Sequence, residues 1–212
     1  MRGLAAFRRS LANDRGATGA EFAMVLPLAL IFLLGIIDAG RYLYTINQGQ
    51  KAVQVGARYA AVTDIMPASL INYSFVVSGG ITQGDKVTTA DFTAYECTGS
   101  GSAVACTCET GGTCNFSMTT DATDNTNFNA MFDRMQLMMP SLTEDEVRVR
   151  YENSLLGYAG DPNGPDIAPF ITVSVENATF TPISLVLFGV SVPLPMLSHT
   201  LTMEDGRGTN SY

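Results

Sequence analysis

Five side chains carry most of the chemistry this sequence offers: Glu21 and the four cysteines Cys97, Cys106, Cys108 and Cys114. Glu21 opens a run without charge that extends from Phe22 to Ile37, and the residues before it, Ala17 to Ala20, are small and uncharged. A carboxylate inside an apolar run is expensive to keep, and an ionisable residue at membrane depth is read as functional by default. The cysteines follow C-x8-C-x-C-x5-C within a stretch rich in Gly, Ser and Thr. Zinc sites usually pair their ligands as C-x2-4-C, and this spacing lacks two such pairs, so disulfides are the better reading. Three pairings exist; Cys106 with Cys108 is strained, which favours Cys97–Cys106 with Cys108–Cys114 and leaves Cys97–Cys108 with Cys106–Cys114 open. His199 is the only histidine. Its neighbour Ser198 cannot pair with it on a strand, because adjacent strand residues point to opposite faces. There is no nucleophile–base pair and no phosphate-binding glycine loop, so the sequence predicts no catalytic residue, no metal, no cofactor and no small-molecule substrate.

The element that must position Glu21 is a long helix, expected over residues 17–61. The charge-free residues 22–37 give about 24 Å at about 1.5 Å per residue, short of a hydrocarbon core of about 30 Å; Ala17 to Ala20 extend it. Pro27 lies inside and bends rather than ends a membrane helix. Asp38-Ala39-Gly40-Arg41-Tyr42 is a poor exit for a signal peptidase, which favours an anchor over a cleaved signal. Asp38 and Arg41 share a face and form a local pair at the membrane surface, a weak interaction when exposed. Farther on, Ala52, Gly56 and Ala60 recur every fourth residue, so another backbone can approach closely. That packing serves either partner helices or the chain's own domain.

Residues 62–212 read as an ectodomain. Asp64 and Pro67 stop the helix, and Leu70 to Val77 suits a second helix or an early strand. "DFTAYEC" alternates as a strand, and the cysteine-rich stretch after it reads as a disulfide-stapled loop or hairpin. Asp121 to Asn127 has oxygen ligands, but Thr123 and the missing glycine at 126 break the calcium-loop pattern, so a helix N-cap is expected. Phe128, Met131, Phe132, Met135 and Met138 then follow at helical spacing as a core face. "VRVRYE", Val147 to Glu152, alternates as a half-buried strand, and "FITVSVE", Phe170 to Glu176, alternates again. Phe180 to Val192 is apolar but too short to cross a membrane, and is expected as a packed helix or a connecting segment. "LPMLSHTLTMED" supplies a last strand. The expected fold class is α+β, a membrane-spanning helix continuing into a mixed helix and antiparallel-sheet ectodomain.

Four arginines (Arg2, Arg8, Arg9, Arg15) against Asp14 precede the apolar run and predict a cytoplasmic N-terminus with the ectodomain beyond the membrane. Of 12 basic and 20 acidic residues, these leave 8 against 19 from residue 17 onward. Such acidity argues against nucleic acid as a partner, because phosphate binding needs clustered Lys and Arg.

Gly16 is followed by four small residues, then Glu21 and Phe22, then the apolar run. This resembles the processing site of type IV pilin-like proteins. Within them, "RGATGAEFAMVLPLALIFLLGIIDAGRYLYTINQGQKAVQVGARYAA" is similar to the TadE-like family of the tight-adherence (Tad/Flp) pilus. The resemblance covers residues 15–61 and is weaker beyond. It implies a minor pseudopilin whose basic leader, residues 1–16, is removed by a prepilin peptidase between Gly16 and Ala17. Glu21 is then the fifth residue of the mature chain, followed by Phe22. The partners it implies are other pilins and pseudopilins of the Tad system and the inner membrane, with the protein in the fibre or at its base. It also implies that the Glu21 carboxylate meets the free amine of a neighbouring subunit. The reading that competes with it is an unprocessed, membrane-anchored ectodomain that binds a surface or a partner.

Overall fold

The structure is a computed structural model that describes residues 17–101, 103–162 and 165–204; the leader, residues 1–16, lies outside them. Helix α1 spans Ala17–Ala61, the length expected from its composition, with Pro27 inside it. It ends where Thr63 Oγ1 turns back to donate to the Tyr59 carbonyl at 2.9 Å and the Glu204 N–H caps the Ala61 carbonyl at 3.0 Å. Such partners satisfy the carbonyls that a helix end leaves open. The undecided stretch near residue 70 is a short helix, α2 (Ala68–Ile71), followed by turns.

The remaining elements are β1 (Ala94–Ser100), β2 (Ala103–Cys108), α3 (Ala122–Met138), a 3-10 turn at Glu144–Glu146, β3 (Val147–Glu152), β4 (Phe170–Val175), β5 (Thr179–Phe180), a 3-10 turn at Val186–Phe188, β6 (Val192–Pro193) and β7 (Leu197–Thr202). Five strands form one sheet in the order β2-β1-β3-β4-β7, antiparallel throughout. The fold is therefore α+β, as the sequence implied.

The chain divides into two compact units: residues up to Leu43 with Thr181–Val192, and Tyr44–Phe180 with Pro193 onward. In the second unit, β3 buries Val147, Val149 and Tyr151 and turns Arg148, Arg150 and Glu152 outward. On the wet face, Arg150 pairs with Glu109 at 3.0 Å and Arg148 with Glu96 at 3.7 Å. The buried face is closed by α3 and by the end of α1. A Cβ on Gly56 would stand 2.6 Å from Met135 Sδ and 3.1 Å from Val173 Cγ1, and Ala52 and Ala60 are buried with it. The every-fourth-residue small side chains thus let α1 settle onto its own domain, where Ala-sized residues permit close approach.

Helix α3 buries Phe128, Met131, Phe132 and Met135, as its spacing predicted. Met138 does not join them: it is 37% exposed, and Met139 is buried in its place. Met138 is the last helical residue and lies at the edge of the buried stripe, while Met139, where the chain leaves helical geometry (φ −128, ψ 86), turns inward. Beside the sheet, Tyr95 and Tyr151 stack at 5.0 Å, with Phe92 and Phe116 within 6 Å of Tyr95. Burial raises the pKa of Tyr151 far above its ordinary value and raises that of Tyr95 as well.

Candidate functional site

The first turns of α1 carry Ala17, Glu21 and Phe22. Gly16 lies outside the described residues. Ala17 lies four residues before Glu21, about 6 Å along the helix axis. Nearly all apolar side chains from Phe22 to Ile37 are open: Phe22 is 65% exposed, Met24 78%, Leu28 70% and Phe32 69%, with Leu34 half-buried. A helix that is apolar all round needs an apolar surrounding that the chain's own fold does not provide here. It is long and apolar enough to cross a membrane.

Where the apolar run stops, Asp38 is buried. Its carboxylate accepts four hydrogen bonds: from the Ile183 N–H at 2.8 Å, the Ser184 N–H at 2.8 Å, the Ser184 hydroxyl at 2.6 Å and Arg41 Nη1 at 3.0 Å. The sequence predicted the Asp38–Arg41 pair but placed it on an exposed surface. The pair is present, yet Asp38 is also the clasp for a segment about 145 residues away in the chain. A carboxylate with this many donors is stabilised in its charged form without water. The signal available in the sequence was an acid directly after an apolar run and a second, charge-free apolar segment; nothing local couples the two.

The apolar segment after Phe180 is a connecting segment and not a packed helix. It holds one 3-10 turn, Val186–Phe188, and most of its apolar side chains are exposed. Pro182 near its start cannot donate a backbone hydrogen bond, and Gly189 at φ 63 stops the turn in a left-handed conformation that glycine adopts without strain.

The cysteines form Cys97–Cys106 and Cys108–Cys114. Cys97 and Cys106 face each other across β1 and β2, so the hairpin register decides the partner. All four sulfurs are committed, and no group of three or more His, Cys, Asp or Glu able to hold a metal occurs among the described residues.

The polar stretch before α3 is a cap. Asp121 Oδ1 accepts from the N–H groups of Thr123 (2.7 Å) and Asp124 (3.0 Å). Asp124 returns the contact to the Asp121 N–H at 2.9 Å and also accepts from Ala68 N–H at 2.9 Å. Asp124 therefore ties α2 to the start of α3. Burial raises its pKa above the ordinary carboxylate value, against the lowering effect of the hydrogen bonds from Asp121 and Ala68. His199 lies on β7 across from Val173, as a strand residue.

The arrangement offers an apolar helix with one carboxylate near its start, a clasped acid at its far end, and a cross-linked ectodomain. Residues 16–58 match the family model of TadE-like protein. This is the family whose resemblance the residues after Gly16 carry, and it is a family of pilus-associated structural proteins. The TadE-like stretch begins at Gly16 and takes in Glu21, the apolar run, Asp38 and the small residues at 52 and 56. No curated protein and no solved structure matches the chain. The match covers the helix and not the ectodomain, and it supports a pilus-associated protein whose helix is long and apolar enough to cross a membrane.

Proposed function

We propose that the chain is a minor pseudopilin of the Tad (Flp) pilus, cut after Gly16 by a prepilin peptidase and held in the inner membrane by α1. The leader faces the cytoplasm, where its four arginines keep it, and the ectodomain lies on the opposite side. The observation that carries this reading is the position of Glu21: fifth from Ala17, at the start of an open apolar helix, in a segment that matches the TadE-like model from residue 16. Cutting after Gly16 gives Ala17 a free ammonium. In a bundle of staggered parallel helices, the Glu21 carboxylate of this subunit meets the ammonium of the next. The pair offsets a desolvation cost of several kcal/mol per ion and fixes the stagger. The ectodomain is a structural module without enzymatic activity, and its cross-linked hairpin suits a compartment in which disulfides persist.

A test separates this from the unprocessed, surface-binding anchor. In a strain complemented with Gly16→Val, a β-branched side chain blocks the cut. Full-length protein then accumulates in the membrane, and pili fall to the number seen without the gene. If pilus number stays at the wild-type level while residues 1–16 remain attached, the processed pseudopilin reading fails and the unprocessed anchor stands.

A further inference from the structure

Neither the apolar helix nor the core of the ectodomain accounts for one apolar surface. Between Glu176 and Glu204 the chain contains no Asp, Glu, Lys or Arg. Within it, Ile183, Leu185, Val186, Phe188 and Val190 are exposed, Phe188 at 75%. The segment Thr181–Val192 groups with the apolar part of α1. Asp38 holds it by Ile183 and Ser184, and Asp38 is the residue directly after the apolar run. The segment therefore starts at the level where the membrane helix runs out of apolar residues.

We propose that Thr181–Val192 is an interfacial membrane anchor. Its apolar side chains lie in the headgroup–acyl boundary of the same bilayer that α1 spans, on the side away from the basic leader. The inference rests on the membrane-spanning reading of α1 and not on the pilus assignment.

Three observations favour lipid as the occupant. The first is continuity: the clasp fixes the loop beside the end of an apolar run, Phe22 to Ile37, whose side chains are nearly all open to the surroundings. The second is the flanking chemistry. Arg41 and Tyr42 follow Asp38 within the next turn, and basic and tyrosine side chains of this kind mark the membrane–water interface. The third is how Asp38 is satisfied. Asp38 directly follows the apolar run, which places it at the boundary, where water is scarce. Its four donors come from the protein, which removes the need for water at that depth. The exposed side chains of the loop would cost free energy in water and gain it in the boundary region. Because the segment has no basic residue, apolar burial drives its insertion, and anionic lipid adds nothing.

The chain contains no tryptophan, so a single introduced indole reports its own surroundings. Full-length protein carrying Phe188→Trp is placed in phosphatidylcholine vesicles whose acyl chains are brominated near the headgroup. The expected result is a blue-shifted emission that loses about half its intensity relative to unbrominated vesicles, as for a side chain seated at the boundary. The quenching does not change when anionic lipid or salt is added. Phe188 is exposed, so the substitution leaves packing intact, and Val190→Trp serves as a second reporter. Phe32→Trp, within the apolar run, is the control for α1 and is quenched by bromines placed deeper. If the Phe32→Trp indole is quenched and the two loop reporters show water-like, unquenched emission, the anchor proposal falls while the membrane helix stands. If none is quenched, both fall. Blue-shift of the loop reporters only after other pilus proteins are added assigns the surface to a protein partner and overturns the lipid proposal.

Discussion

Glu21→Ala is expected to abolish pilus formation while the protein still enters the membrane. Removing a carboxylate from an apolar helix lowers the cost of insertion by about 2.5–3.5 kcal/mol on insertion scales, so the amount of membrane-bound protein does not fall. In the proposed bundle, the variant loses the pair that compensates the neighbouring subunit's amine. An unpaired ion in that setting costs about 3–5 kcal/mol, which corresponds to a loss of roughly 150-fold or more in an association constant at about 1.4 kcal/mol per tenfold. Pili per cell, counted by electron microscopy, should match the gene-deletion strain, with membrane levels unchanged by immunoblot. A normal pilus count in the variant would refute the pairing role. Glu21→Asp separates charge from reach: the shorter side chain keeps the charge, and a partial pilus count is expected from it.

The second large effect concerns Asp38. With Asp38→Ala, the N–H groups of Ile183 and Ser184 and the Ser184 hydroxyl lose their acceptor. A fully buried donor left without a partner costs about 1–3 kcal/mol, and these three are partly buried, so each contributes less; the Arg41 contribution is smaller, because that side chain is 45% exposed and exposed pairs are screened. A net loss of about 2–3 kcal/mol raises the open population of segment 181–192 by roughly 30- to 150-fold. Chymotrypsin, cutting after Phe188 or Leu185 in detergent-solubilised protein, should cleave the variant faster by about that factor. Asp38→Asn retains one acceptor oxygen and should show an intermediate rate. Cleavage at the wild-type rate in Asp38→Ala would mean that the clasp does not hold the segment.

These two acids also show how far the sequence could be read. Glu21 could be singled out because its context is local: small residues before it, an apolar run after it, and a fixed distance from Gly16. Val147 to Glu152 and Phe170 to Val175 were legible for the same reason, since period-two alternation records directly which face is wet. Asp121 was recognisable as a cap from the polar residues at the head of an apolar periodicity. The preferred cysteine pairing matches the structure, but its cause is the register of β1 on β2, which puts Cys106 opposite Cys97; spacing alone left two pairings open. Asp38 was seen next to Arg41 and missed next to Ser184, because the contact joins elements 146 residues apart and no periodicity encodes it. Met138 was misplaced for a smaller reason: it closes the helix at the edge of the buried stripe, and the next residue, Met139, fills the core instead. The apolar run after Phe180 carried a genuine ambiguity, since hydrophobicity alone does not tell a packed segment from one that faces lipid.

In the proposed assembly, the Glu21 carboxylate lies in an apolar helix so that it can meet an amine that exists only after the leader is removed. The identity of the first residue in the membrane-assembled protein tests this most directly. Protein isolated from wild-type cells, analysed by intact mass and N-terminal sequencing, should begin Ala17-Thr18-Gly19-Ala20-Glu21, with residues 1–16 gone. A mature protein that still begins at Met1 would contradict it, because Glu21 would then sit well inside an intact chain with no freed amine for it to pair with.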